Sequence, residues 1–195
     1  QKVGCRWITG GGAEVLSPGF RKRHSPRKFS VSEYFEAQGA ILKQGIASTA
    51  TMVIGMDESL DERLDHLSRL RDFQQNNHNL LPSFLCWTYK PENSKLGGVE
   101  VSTKEYLRWI AICRIYLHNI KHIRTSVLTK NHDAFHGLLY GANDFDLPTE
   151  DEVTTSAGAK ISLDFASLLQ SCKQIGITPC KRRPFAPPSL LGRAC

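Results

Sequence analysis

Ile46–Leu70, IASTATMVIGMDESLDERLDHLSRL, is the stretch whose pattern decides the fold. Its first nine residues, Ile46–Ile54, are uncharged and mostly apolar or β-branched, the composition of a strand covered on both faces. Gly55-Met56-Asp57-Glu58 breaks the run. Leu60, Leu64, Leu67, Leu70 and Phe73 then step by three and four behind an acidic first turn, as in an amphipathic helix packed on a sheet. A covered strand, a short turn and a half-apolar helix form one unit of a parallel sheet with crossover helices.

The unit repeats outward. Upstream, helical spacing runs from about Ser32 through Tyr34, Phe35, Gln38, Ile41 and Leu42 to Gly45, and Cys5–Thr9 is a short strand leading into three glycines. Downstream, Ser83–Tyr89 (SFLCWTY) is a strand, and Ser102 or Thr103 caps a helix carrying Tyr106, Ile110, Cys113, Leu117 and Ile120. Ile123–Leu128 is the next strand, His132–Tyr140 a short helix, and Ile161–Gln174 the last helix. Four or five strands are too few to close an eight-stranded barrel, so the sheet is either open and doubly wound or the later part of a barrel.

With 195 residues, 41% hydrophobic and 23% charged, the chain has the composition of one globular domain and not of a collagen, a disordered segment or a disulfide scaffold. No apolar stretch reaches the roughly 18 residues of a membrane span, and Gln1–Gly4 is no signal peptide. Opening without Met and almost directly on strand-like sequence, the chain reads as a fragment. Six scattered cysteines, with Cys86 and Cys113 inside apolar patterns, make no Cys-x-x-Cys pair and fit a reducing, cytoplasmic setting. The net charge of +6 suits either nucleic acid or anionic small molecules.

The chemically unusual residues follow the strands: Thr9–Glu14, Gly55–Glu58, Lys90–Asn93 and Thr129–Asn131. Connections out of helices, such as Lys43–Gly45, are plain by comparison. Parallel α/β proteins bind ligands at the carboxyl ends of their strands, so these four loops are expected to line one site. In Gly10-Gly11-Gly12-Ala13-Glu14 the glycines let backbone approach a ligand, and the acid can accept from ribose hydroxyls; the same residues also suit a flexible loop. Gly55–Glu58 serves either a ligand turn or a helix start capped by Asp57 or Ser59. Trp87 and Tyr89 offer rings for stacking beside Lys90, Glu92 and Asn93, or a core Trp with a solvated loop. The basic run Arg21-Lys22-Arg23-His24-Ser25-Pro26-Arg27-Lys28 has no interleaved aromatics and reads as a solvated loop. A nucleic-acid-binding α/β module built on it is the non-enzymatic alternative. No nucleophile elbow is present, and His118 with His122 lacks the Glu of a zinc-protease helix.

As a group these residues resemble the radical S-adenosylmethionine enzymes of the futalosine pathway to menaquinone. The resemblance runs from about Gly4 to Arg182. It rests on the stretch from Gly10 to Gln74, on Trp87-Thr88-Tyr89-Lys90-Pro91-Glu92-Asn93, Tyr106-Leu107-Arg108 and Gly141-Ala142-Asn143-Asp144, and on Gly176–Arg182. The Trp-Thr-x-x-Pro-x-Asn and Gly-Ala-Asn-Asp runs side with the cyclic dehypoxanthine futalosine synthases over the related aminofutalosine synthases. The resemblance implies a partial (β/α) TIM-type barrel of radical-enzyme type, about its last four to five units, over residues 1–183; the Pro-containing tail at 184–195 is not usual in the family. It also implies S-adenosylmethionine and a 4Fe–4S cluster as cofactors, a nucleoside-like substrate, and flavodoxin or ferredoxin as electron donor. In that chemistry an adenosyl radical takes a ribose hydrogen, and the carbon radical adds to the substrate's benzoate ring.

The family's Cys-x3-Cys-x2-Cys motif is not in this sequence, so its cluster ligands are expected upstream and the isolated chain is expected to be inactive. By matching motif, Gly10, Gly11, Gly12 and Glu14 would contact S-adenosylmethionine or substrate. Ile54, Gly55 and Glu58 would support the adenine, and Trp87, Asn93 and Thr129 would face the substrate. The sequence departs from the family at Gly55-Met56, where members have Gly-His, and at Val127-Leu128-Thr129-Lys130, where they have Trp-Val-Thr-Gln. Unpaired strand edges at Cys5–Thr9 and at the last strand are expected to make the isolated chain self-associate.

Overall fold

The computed structural model describes residues 5–78, 80–94, 96–147 and 155–182, so the tail at 184–195 lies outside the described residues. In chain order the elements are β1 (Trp7–Ile8), α1 (Pro18–His24), α2 (Val31–Lys43), β2 (Ala47–Ser48), β3 (Ala50–Ile54), α3 (Leu60–Asn76) and β4 (Ser83–Thr88). There follow α4 (Thr103–Tyr116), β5 (His122–Thr125), α5 (Val127–Lys130), a 3-10 helix (Asn131–Tyr140), β6 (Asp144–Phe145) and α6 (Phe165–Gln174). β1 pairs with β2, and β3, β4, β5 and β6 pair in that order, every pair parallel. Only Thr49 separates β2 from β3. Its hydroxyl accepts from the Gly10 N–H at 3.1 Å, and the Val53 N–H donates to the Glu14 carbonyl at 3.0 Å, so the chain after β1 continues alongside β3.

Side-chain alternation sorts the two faces of the sheet. Ala50, Met52 and Ile54 of β3, Phe84 and Cys86 of β4 and Ile123 of β5 join Leu67, Leu70, Tyr106, Trp109, Ile110 and Cys113 in one buried core under the helices. Thr51, Leu85, Arg124 and Asp144 form one in-register row across the opposite face, with Val53 beside Trp87 in the next. The long helices start where their caps dictate. Ser30 and Ser59 each accept from the N–H three residues on, and Glu33 and Glu62 return the bond to the cap's own N–H, a reciprocal box that satisfies two orphan donors.

Several expectations need correction. The strand expected over Ile123–Leu128 ends at Thr125, because the Ser126 hydroxyl accepts from the Thr129 N–H and starts α5, leaving Val127 and Leu128 helical. Periodicity cannot mark that stop in a short apolar run. The basic run Arg21–Lys28 is a solvated loop only in its second half: its first half belongs to α1, where Phe20 and Arg21 are buried, while Pro26, Arg27 and Lys28 are exposed beyond the helix. Arg23 is paired with both Glu62 oxygens at 2.9 Å and Lys28 with Glu14 at 2.6 Å, so part of the run's charge is met by carboxylates of the protein itself. The last helix begins at Phe165, capped by Asp164, and the short edge strand β6 carries no strand signal of its own. Trp7 and Ile8 of the opposite edge strand are exposed.

His66, on the buried face of α3, gives the fold a pH dependence. Its Nδ1 accepts the Leu16 N–H at 2.8 Å, and complete burial pushes its pKa down to about 3. Unfolded, the imidazole titrates near 6.5, so between about 3 and 6.5 the unfolded chain binds more protons than the native one. This contribution is whole above 6.5 and declines as pH falls, by on the order of 1.4 kcal/mol per pH unit. Urea midpoints are expected to drop between pH 7 and 5, with a visibly flatter profile for His66→Gln; parallel profiles would refute the assignment.

Candidate functional site

The segments singled out after β1, β3 and β4 lie at the carboxyl ends of their strands; Thr129–Asn131, expected as a loop, falls in α5 and the start of the 3-10 helix just beyond β5. The Gly10 carbonyl, leaving β1, accepts from the Tyr34 and Thr51 hydroxyls, both at 2.9 Å. Arg21 reaches the same turn from α1, donating from Nη1 to the Gly12 and Ala13 carbonyls at 3.0 and 3.1 Å and from Nε to the Phe29 carbonyl at 2.7 Å. Around Gly11 and Gly12 the space is open: a Cβ built at either would meet nothing within 4 Å. Glu14 closes the turn with φ of 36°. Its Oε1 accepts from Lys28 at 2.6 Å, while Oε2 is buried without a hydrogen-bond partner among the described residues.

The turn after β3 is organised by Glu58, whose side chain is fully buried. Oε1 accepts from the Gly55 N–H and Oε2 from the Met56 N–H, both at 2.8 Å, and Arg63 Nε pairs with Oε1 at 2.7 Å. This carboxylate shapes the turn from within. Ile54 and Met56 are likewise packed in the helix-side core; the β3 side chains on the opposite face are Thr51 and Val53, the latter half-buried and in register with Trp87. Asp57 carries φ of 77° and its Oδ2 lies 3.1 Å from His24 Nε2.

A segment before α4, residues 98–101, joins the remaining loops. The Val99 N–H donates to the Gly55 carbonyl at 3.1 Å, and a Cβ on Gly98 would come within 2.5 Å of that same oxygen, which explains a glycine with φ of 93° there. Two residues on, Glu100 accepts from Lys90 at 2.5 Å and from Lys130 at 3.0 Å. The loops after β3, β4 and β5 thus meet along one strap. Trp87 is half-buried, and its indole N–H has no partner among the described residues. Thr129 is buried, its hydroxyl donating to Ser126 and accepting from the Thr88 N–H, and Asn93 is exposed and donates to the Ser156 carbonyl.

Of the expected site residues, Gly10–Gly12, Glu14, Gly55 and Trp87 are therefore placed at the strand ends or on the face away from the core. Ile54, Glu58 and Thr129 build the scaffold beneath, and Asn93 holds a neighbouring loop. Lys90 and Lys130 belong to segments expected to line the site, but Arg21, Val53 and Glu100 were not singled out as site residues from the sequence; alternation within β3 could have pointed to Val53. Glu14, Asp57 and Asn131, three of the four non-glycine residues at positive φ among the described residues, lie in the connections that follow β1, β3 and β5. Such backbone costs of order 1–3 kcal/mol per residue and gathers where a site needs it. The cysteines do not fit a metal cluster. Cys86, Cys113 and Cys172 are buried thiols, Cys5 and Cys180 stand apart, and the described residues contain no metal-ligating group of three.

Residues 78–185 match the family model described as the CofH/MqnC C-terminal region. A cyclic dehypoxanthine futalosine synthase from Halalkalibacterium halodurans is 34% identical over 185 residues, covering 93% of this chain and 50% of that protein. The synthase of the same name from Streptomyces coelicolor is 36% identical over 183 residues, covering 92% and 46%. The chain thus spans about half the length of the curated relatives it matches. Among solved structures, methylornithine synthase (PylB) has a TM-score of 0.64 over 90% of this chain and 52% of its own, at 17% identity. The parallel arc is accordingly part of a TIM-type barrel.

Proposed function

This chain belongs to the CofH/MqnC family, and from that premise we propose that it supplies the substrate-facing rim of a radical S-adenosylmethionine cyclase acting on dehypoxanthine futalosine. The observation that carries the reading is the strained, hydrogen-bonded set of loops after β1, β3 and β5, in a chain similar over nearly its whole length to two synthases of that name. No helix among the described residues is long and apolar enough to cross a membrane, which accords with a cytoplasmic enzyme.

The residues at the glycine turn fit S-adenosylmethionine: Gly11 and Gly12 leave room for close approach, and Glu14 Oε2, 3.8 Å from Arg21, is a buried acceptor with no hydrogen bond among the described residues. When bound, that cofactor supplies the adenosyl group from which the radical chemistry starts. Glu14 would hold ribose hydroxyls, and Arg21 would keep the turn's carbonyls drawn inward so that its amides face the ligand. Val53 and Trp87, adjacent on the face away from the core, would offer an apolar wall to a flat ring. These residues bind, orient and exclude water. The cysteines among the described residues do not fit a 4Fe–4S cluster; a flavodoxin or ferredoxin would serve as electron donor to the intact enzyme.

The test is turnover by the intact enzyme that carries this chain, purified without oxygen and given S-adenosylmethionine, a reductant and dehypoxanthine futalosine. Formation of the cyclic product is the expected result. Turnover of only an enolpyruvyl benzoate would reassign it as an aminofutalosine synthase, and turnover of neither would end the proposal.

A further inference from the structure

Lys90, Glu100 and Lys130 meet where the loops after β4 and β5 reach the strap over the strand ends. Lys90 Nζ lies 2.5 Å and Lys130 Nζ 3.0 Å from the same oxygen, Glu100 Oε1. Lys130 also donates to the Val101 carbonyl at 2.5 Å. The side chains are 13% (Lys90), 32% (Glu100) and 6% (Lys130) exposed, so the two cations are sunk in the rim while the carboxylate reaches towards solvent.

Two ammonium groups against one carboxylate leave a charge of +1, and burying an uncompensated cation is costly unless an anion completes the pairing. Donor capacity leads to the same conclusion. An ammonium has three N–H groups; Lys130 uses two of them and Lys90 one among the described residues, leaving three unused. The pair already grips one carboxylate oxygen, and the residual charge of +1 matches a second carboxylate, not a phosphate dianion. Trp87 lies near the end of β4, and Tyr89, packed in the core, directly precedes Lys90 in the loop that follows; the Tyr89 hydroxyl is buried without a hydrogen-bond partner among the described residues.

We propose that Lys90 and Lys130 form the subsite for a carboxylate on an aromatic ring of the ligand, with Glu100 setting its strength. The inference rests on the reading of the rim as the substrate site and names which group of the substrate is held there. Glu100 spaces the two ammonium groups in the free protein and limits how tightly the incoming anion is held.

The experiment titrates benzoate and, separately, benzamide into the whole chain, following Trp fluorescence and calorimetry. Benzoate is expected to bind and benzamide to bind at least about tenfold more weakly, the discrimination that one charge-assisted pair provides. Lys130→Gln is expected to weaken benzoate about tenfold, and Glu100→Gln to tighten it several-fold. Since these variants move in opposite directions, a general folding defect cannot mimic the pattern. Equal affinity for benzoate and benzamide, a shift of both variants in the same direction, or tighter binding of inorganic phosphate than of benzoate would each overturn the proposal. Benzoate binding reports on this subsite alone. Its failure alongside cyclase turnover would discard the subsite and keep the enzyme, and the converse would do the reverse.

Discussion

Replacing Arg21 with alanine is expected to lower the stability of the chain by about 2–4 kcal/mol, because a buried guanidinium that ties three backbone carbonyls together would be removed. Arg21 is only 5% exposed, and its Nε and both Nη atoms donate to the carbonyls of Gly12, Ala13 and Phe29. Truncation orphans the buried Ala13 carbonyl and removes the guanidinium that lies 3.8 Å from Glu14 Oε2. Arg21→Lys keeps a charge but loses the planar fork, so it is expected to recover only a minor part of the loss. Urea denaturation measures both. A loss below about 1 kcal/mol for the alanine variant would mean that Arg21 is a surface cation of little consequence, as its place in a basic run suggests. The same variant should weaken nucleoside binding more than the stability loss explains, since the Gly12–Ala13 backbone would be free to turn.

Gly10→Ala is expected to be comparably damaging, at about 3 kcal/mol or more, while Gly11→Ala stays within about 0.5 kcal/mol of wild type. The difference is geometric. A Cβ on Gly10 would fall 1.7 Å from the Thr49 carbonyl oxygen and 2.9 Å from its carbon, and neither backbone can withdraw without breaking the Gly10–Thr49 and Gly10–Thr51 bonds. At Gly11 the same atom meets nothing within 4 Å. Melting curves of the two variants decide this, and similar losses for both would show that the turn is not pinned at Gly10. Gly11→Ala carries a second expectation: with melting unchanged, binding of 5′-deoxyadenosine should weaken severalfold, because the added methyl stands in the open approach to the turn.

Both predictions concern residues that look alike in the one-letter string. Three consecutive glycines and a run of arginines and lysines carry no mark separating the glycine that touches backbone from the one that faces open space, or the buried arginine from the solvated ones. The alternation around Ile46–Leu70 was legible because it is local: a strand covered on both faces must be uncharged, and a helix packed on it must be apolar every third or fourth residue. The same logic placed the loops at the strand ends, and the Ser59 and Glu62 capping pair is written out in sequence. Less legible was the stop of β5 at Thr125, where a serine hydroxyl replaces the next ladder bond within a continuous apolar run. Among the expected site residues, Ile54 and Glu58 belong to the right turn, but side-chain alternation and an inward ion pair direct them to the scaffold.

What the sequence by itself determined is the order of parallel strands and covering helices and the end of the sheet at which polar loops gather, because hydrophobic period and turn chemistry act over a few neighbouring residues. Only the tertiary structure decided which charges are buried and whom they face. Arg21 lies within 3.1 Å of carbonyls eight and nine residues away, and Lys130 shares a carboxylate with Lys90 across forty positions of sequence. Those pairings depend on how distant segments pack, and a pattern read along the chain contains no term for that distance.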